Sequence, residues 1–283
     1  SGKIKTGDKM KILPQNKEIK IRGLQTHNKT VDNLSIGNRA AINIQFNDKI
    51  FIKRGNQISD IQYFNIYEQA IVSIEVLSKL KKKIKDNDRM RIYLGTQEVM
   101  ARIQIFDGKF IDFNKTSICI LKFEKPISLS INDNFIIRQY SPLITIGGGK
   151  VIDFFIFKKW KDNKKYIDLI INESNKYSSI IFIRGLNPFS YENFKKYLNV
   201  SDQLVNNILH NNIDITLINK KWLLTHKQNE QNNITVLQFF KKFHKDNPYR
   251  KGMLKEEIIN FINVNEHFLD SLLSTLLKNN KIK

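Results

Sequence analysis

The feature that most constrains this chain is a change of period near Phe157. Before it, short β-branched runs such as Ala40-Ala41-Ile42-Asn43-Ile44, Ala70-Ile71-Val72-Ser73-Ile74 and Ser117-Ile118-Cys119-Ile120-Leu121 alternate with turn signals. Those signals recur at Thr6-Gly7-Asp8, Ile36-Gly37-Asn38, Arg54-Gly55-Asn56, Phe106-Asp107-Gly108 and Ile131-Asn132-Asp133. Short strands with regular turn punctuation specify an all-β barrel or sandwich. Two small barrels are expected, at residues 1–60 and 66–157, with Ile61–Tyr67 as the linker.

After Phe157 the apolar residues recur with helical spacing. Tyr166, Ile167, Leu169, Ile170 and Ile171 face one side of a first helix. A second follows Ser190 as N-cap, and a third starts at Ser201 with Leu204, Val205, Ile208 and Leu209 inward. Two strands, Ile215–Ile218 and Trp222–Thr225, close the module through Asn219-Lys220-Lys221. This order predicts a winged helix over 160–227, with Trp222 as a core anchor. A second copy is expected over 231–283: a helix from near Asn233, then Met253–Ile262 and Glu266–Leu277, the chain ending before a wing. The fold class is therefore multidomain, two all-β barrels followed by tandem α+β winged helices.

Charge narrows the partners. The 283 residues carry 47 Lys and Arg against 27 Asp and Glu, a net charge of +20. That surplus suits nucleic acid through counterion release, and it is spread over both halves. The densest cluster is Lys81, Lys82, Lys83 and Lys85, with Arg89 just beyond, and these five are the candidate contacts to an RNA backbone. Met90, Met100 and Met253 are read as packing residues.

Several chemistries are excluded. One cysteine, Cys119, rules out an intrachain disulfide framework and a cysteine-rich zinc site. Five scattered histidines without H-E-x-x-H give no metal site, and no carboxylate pair marks a hydrolase, so no catalytic residue is assigned. His27 and His244 are read as surface or hydrogen-bonded side chains. Ile144–Val151 contains Gly147-Gly148-Gly149-Lys150, but Ile144 replaces the first glycine of a Walker A loop and Val151 replaces its hydroxyl residue. With no N-K-x-D motif either, no nucleotide cofactor is expected in this chain. The glycines are expected to serve positive φ or close backbone approach. No apolar stretch approaches the roughly 18 residues that span a bilayer, and no leader is evident, so a cytoplasmic protein with no membrane partner is expected.

Arg91–Ile103, read with Arg138–Gly149, resembles the third domain of the selenocysteine-specific elongation factors. Upstream, Ser1–Asp8, Ile21–His27 and Gly37–Asn43 resemble the second domain, and Phe239–Met253 resembles the C-terminal winged-helix region. The resemblance implies an internal piece of a translational GTPase. GTP and Mg would bind a preceding domain, and further winged helices would bind a hairpin of selenoprotein mRNA. It also implies selenocysteinyl-tRNA and the ribosome as partners, delivery at recoded UGA codons, and a monomer. Arg39 then matches an arginine of the pocket for the selenocysteine end of the tRNA.

The rival reading is a winged-helix DNA-binding regulator with a β-barrel sensor. Such a protein needs cations on the helix that enters the groove. No Lys or Arg occurs from Tyr197 to Asn219, and Glu266–Leu277 is equally devoid of them. Both winged helices are accordingly read as spacers or protein-contact elements.

Overall fold

A computed structural model of the chain describes residues 2–46, 51–61, 66–77, 83–113, 115–172 and 176–282. It divides into two compact units, Ser1–Lys158 with Tyr197–Asn199, and Lys159–Lys196 with Val200–Lys283.

The first unit opens with seven strands, β1 (Ile4–Lys5), β2 (Lys9–Leu13), β3 (Lys17–Thr26), β4 (Lys29–Val31), β5 (Asn33–Leu34), β6 (Ala41–Gln45) and β7 (Gln57–Asp60). Strands β4-β3-β2-β7 form one sheet with β6 also on β3, while β1 pairs with β5. Alternation in Ile19, Ile21 and Leu24 turns one face of β3 onto Ile12 and Leu34, and the intervening Lys and Arg face water. His27 and Asn28 both have positive φ between paired Thr26 and Lys29, a two-residue hairpin turn. His27 is thus a turn residue. Among the described residues this segment is two sheets around one core, and no closed ring is formed there.

Eight further strands follow: β8 (Ile66–Val76), β9 (Ile84–Lys85), β10 (Arg89–Leu94), β11 (Gln97–Ile105), β12 (Phe110–Ile111), β13 (Thr116–Ser128), β14 (Asn134–Gln139) and β15 (Thr145–Asp153). Six of them close a barrel in the order β10-β11-β13-β8-β15-β14, every ladder antiparallel. Ile66 and Tyr67, expected in a linker, begin β8; residues 62–65 lie outside the described residues. Inside are Val72, Ile74, Ile92, Ala101, Ile103, Cys119 and Ile137, all nearly inaccessible to solvent. Burial pushes the Cys119 thiol up to about 12, so it is a packing residue, not a nucleophile.

Gly147, Gly148 and Gly149 lie in β15, between β8 and β14. A Cβ on Gly147 would fall 2.1 Å from the Glu75 carbonyl oxygen, and one on Gly149 would fall 2.0 Å from that of Ser73. None of the three has a positive φ. Close approach, not left-handed geometry, therefore requires glycine here. Their amides belong to a strand paired on both edges and cannot form a phosphate cradle. This segment does not fit a nucleotide.

After Lys158 the chain forms α1 (Trp160–Asn172), α2 (Lys176–Phe182), β16 (Phe189–Ser190), α3 (Tyr191–Leu198), α4 (Asp202–Asn211), β17 (Ile215–Ile218), β18 (Trp222–Thr225), α5 (His226–Asp246), α6 (Lys255–Ile262) and α7 (Glu266–Lys278), all in the second unit except the end of α3. Ser201 caps α4, its hydroxyl accepting from the Leu204 amide. The three-stranded sheet β16-β18-β17 supplies the wing hairpin. Trp222 is buried edge-on against Phe268 and joins Leu224, Val236, Ile258, Leu269 and Leu272 in one core. The sequence reading omits α2, a seven-residue helix too short to display a period, and starts α5 near Asn233.

The actual start of α5 at His226 reflects a capping box. Thr225 Oγ1 accepts from the Gln228 amide at 3.1 Å, and Gln228 Oε1 accepts from the Thr225 amide at 3.3 Å. Helix α5 consequently runs unbroken across the expected gap between 227 and 231. The Gln228 and Asn232 side-chain amides then both donate to the Gly185 carbonyl, at 2.8 and 3.0 Å.

Gly147→Ala and Gly149→Ala are each expected to lower stability by about 3 kcal/mol or more, the upper range for overpacking a close-packed interior. Gly252→Ala, with nothing within 4 Å of the added carbon, is the near-neutral control. Urea unfolding of the three variants makes the comparison.

Candidate nucleic-acid interface

The barrel presents one outer face where arginines and aromatic rings interleave. Period two in Arg89-Met-Arg-Ile-Tyr-Leu94 sends Met90, Ile92 and Leu94 inward and Arg89, Arg91 and Tyr93 outward. The register then sets Arg91 opposite Arg138 of β14 and Met100 of β11. It sets Arg89 opposite Arg102, which is itself opposite Lys122 of β13. Five cations thus share a few strands with two carboxylates, Glu98 and Glu124. Like charges directly opposite cost about 0.2–1 kcal/mol per pair, so the arrangement is tolerated and not stabilising in itself.

Aromatic rings and the two carboxylates organise these cations. Tyr140, half exposed at 52%, has the Arg89 guanidinium 5.1 Å and the Arg91 guanidinium 5.3 Å from its ring centre. Arg138 lies 5.7 Å from the Tyr93 ring and donates to the Leu143 carbonyl at 3.1 Å. Glu124 receives a two-pronged bond from Arg89, at 2.6 and 2.7 Å, and Glu98 pairs with Arg91. Arg89 in turn holds the Glu124 carboxyl below the usual carboxylate range. The Nε–H groups of Arg91 and Arg138 are shielded from solvent yet have no hydrogen-bond partner among the described residues. Around them Ile136, Leu143 and Ile144 are exposed.

The five cations chosen from sequence behave differently from one another. Lys81 and Lys82 lie outside the described residues. Lys83 pairs with Asp112 at 2.8 Å and covers the Phe110 ring at 4.0 Å, lowering the Asp112 carboxyl. Lys85 is exposed, its side chain unpaired among the described residues, while its amide donates to Asp88. Arg89 belongs to the barrel face. Arg102, Lys122 and Arg138 are not part of the charge run; the signal that finds them is strand alternation combined with register.

Arg39 is an exposed residue between β5 and β6. Its carbonyl accepts from Thr26 Oγ1 at 2.9 Å, and its guanidinium has no ion pair among the described residues. No group of three His, Cys, Asp or Glu that could hold a metal occurs among the described residues, and no helix there is long and apolar enough to cross a membrane.

The family described as "Selenocysteine-specific elongation factor, beta-barrel domain" matches residues 71–157, almost the whole closed barrel. A second, "Elongation factor SelB, winged helix", matches residues 237–283. Residues 71–157 and 237–283 are thus similar to two domains of the selenocysteine-specific elongation factors. A member from Desulfomicrobium baculatum is 26% identical over 155 residues, covering 54% of this chain and 24% of its own length. One from Escherichia coli strain K12 is 23% identical over 168 residues, covering 59% of this chain and 25% of its own. The chain thus spans about a quarter of the length of these curated relatives. The fold follows the crystal structure of a bacterial selenocysteine-specific elongation factor, EF-Sec, with a TM-score of 0.78 and 21% identity over 98% of this chain and 43% of that one. These similarities favour a piece of a translation factor over a winged-helix DNA-binding regulator.

An NMR titration of Glu124 should give a pKa below the ordinary value of about 4.3, and Arg89→Ala should return it there. Because the folded-state pKa is lowered, the pair contributes fully above the ordinary value. That contribution is lost as pH falls through the folded value. An unshifted Glu124 in the parent protein would mean that the pair is not formed.

Proposed function

We propose that this chain is the tRNA-binding and linker part of a selenocysteine-specific elongation factor. The whole protein would deliver selenocysteinyl-tRNA to the ribosome at recoded UGA codons in the cytoplasm, as a monomer. GTP and Mg would be held by a GTPase domain ahead of the barrels, and an mRNA hairpin by winged helices beyond residue 283. Four modules would carry the work, 1–60 as a β module of two sheets, 66–157 as a closed barrel, and 160–227 and 231–283 as winged helices, the last two joined through α5. The observation that carries the reading is the arginine–aromatic face of the closed barrel, which lies within the stretch matched to the family.

The face suits an RNA backbone chemically. Guanidiniums present paired N–H donors that match phosphate oxygens. Lys81, Lys82, Lys83 and Lys85 are candidate backbone contacts by their charge, and phosphate would compete with Glu124 and Asp112 for Arg89 and Lys83. For the aminoacyl end, Arg39 supplies discrimination. A selenol is more acidic than a thiol of pKa about 8.5, so selenocysteine is largely anionic at neutral pH while its serine precursor is uncharged. A permanently charged guanidinium favours the anion, by roughly 1.5–3 kcal/mol for a charge-assisted contact.

Two measurements test this. Arg91→Ala with Arg138→Ala should weaken tRNA binding and reduce the slope of log K against log salt by about 0.7–0.9 for each phosphate that is no longer neutralised. Arg39→Ala, in a protein carrying this chain behind a GTPase domain, should cost about one to two decades for selenocysteinyl-tRNA. Seryl-tRNA on the same tRNA body should lose little. Equal losses for both would return Arg39 to a structural role.

A further inference from the structure

A second basic and aromatic surface lies in the second unit. Helix α5 ends in Lys241-Lys242-Phe243-His244-Lys245-Asp246, and a turn through Asn247-Pro248-Tyr249-Arg250-Lys251 leads toward α6. Phe239 and Phe240 pack against the core side of α5, whereas Lys241, Lys242 and Lys245 are exposed. None of Lys241, Lys242, Lys245 or Lys251 has a carboxylate partner among the described residues, although Asp246 and Glu256 are exposed nearby. Lys255 shows the contrast, being neutralised by Glu266 at 3.3 Å and Asp270 at 2.8 Å.

Tyr249, in the turn that follows Lys241, Lys242 and Lys245 and precedes Lys251 in sequence, is 99% exposed, and Phe261 on α6 is 72% exposed. The turn that carries Tyr249 is braced. The Asn247 side-chain amide donates to the Phe243 carbonyl at 3.0 Å, and the Arg250 amide donates to the Asn247 carbonyl at 3.1 Å. The Arg250 guanidinium grips Glu257 at 2.9 and 3.0 Å and covers the Phe243 ring at 5.0 Å. Glu257 also accepts from the Leu254 amide at 2.9 Å. Arg250 is therefore spent on holding the turn, and the ring it sets out has both faces open. No part of the core needs that ring.

We propose that Lys241–Lys251 is an RNA-binding surface that takes an unpaired strand, with Tyr249 stacking on a base and Lys241, Lys242, Lys245 and Lys251 neutralising phosphates. A flat ring flanked by unpaired cations is the arrangement that sequence-tolerant single-strand binders use. An acidic peptide would engage the lysines and leave the ring without a partner of its own shape. The surface is independent of the barrel face, and it gives this winged helix a role beyond that of a spacer.

The test uses the full chain in an Arg91→Ala, Arg138→Ala background, so that the barrel face does not dominate the signal. The probe is a labelled single-stranded RNA 12-mer of mixed sequence, with its duplex as comparison. Tyr249→Ala should weaken single-strand binding about tenfold, the scale of one base–aromatic stack. Reversing Lys241, Lys242 and Lys245 to Glu should lower affinity and flatten the salt slope by about 0.7 per phosphate released. Tyr249 is fully exposed, so its variant should keep the parent thermal midpoint. A 4-thiouridine probe should crosslink within Lys241–Lys251. Unchanged affinity in both variants would overturn the proposal, as would equal affinity for duplex and single strand. Restoring Arg91 and Arg138 and measuring tRNA separately distinguishes this failure from failure of the barrel site.

Discussion

Everything on the outer face of the closed barrel depends on how near one backbone can lie to another. Strand β15 passes between β8 and β14 with Gly147 and Gly149 so close to the Glu75 and Ser73 carbonyls that no β-carbon fits. A side chain there would push β15 outward and shift β14, its hydrogen-bonded neighbour. Strand β14 carries Arg138 and pairs with β10, which carries Arg89 and Arg91. The spacing of the cations therefore depends on packing on the far side of β14.

Much of the architecture is legible from period and punctuation. The change near Phe157 separates strands from helices, Ser201 caps the helix that its position predicts, and Trp222 anchors a core. The differences have physical causes. Helix α2 has seven residues, fewer than two full turns, so its period does not stand out. The start of α5 is hidden because Thr225 and Gln228 look like the end of a strand and a linker, although together they form a capping box. Closure of the barrel over 66–157 is expected from its strands, while the first sixty residues show, among the described residues, two sheets sharing a core.

The candidate site is less legible, because a run of like charges in sequence says little about where charges meet in space. Lys83 lies in the densest run and is occupied by Asp112. Arg91, Arg102 and Arg138 are scattered along the chain and converge only through register. The Arg89-x-Arg91-x-Tyr93 alternation holds half of that information. Its complement on β14 needs the strand order, which no local pattern encodes. Arg39 is readable only through family resemblance, since an exposed arginine between two strands carries no signal of its own.

The passage from wing to helix in the second unit has a mechanical consequence. Strand β18 ends at Thr225 and α5 begins at His226, with no slack residue between them. Gln228 and Asn232, on the first turns of α5, both grip the Gly185 carbonyl, and the Asn187 amide donates to the Asn263 carbonyl at 2.7 Å. A load on the turn at Tyr249 would be carried along roughly 30 Å of rigid helix, at 1.5 Å per residue, straight into the hairpin made by β17 and β18. Helix α5 thus joins the β17–β18 hairpin to the turn at Tyr249 with no intervening loop.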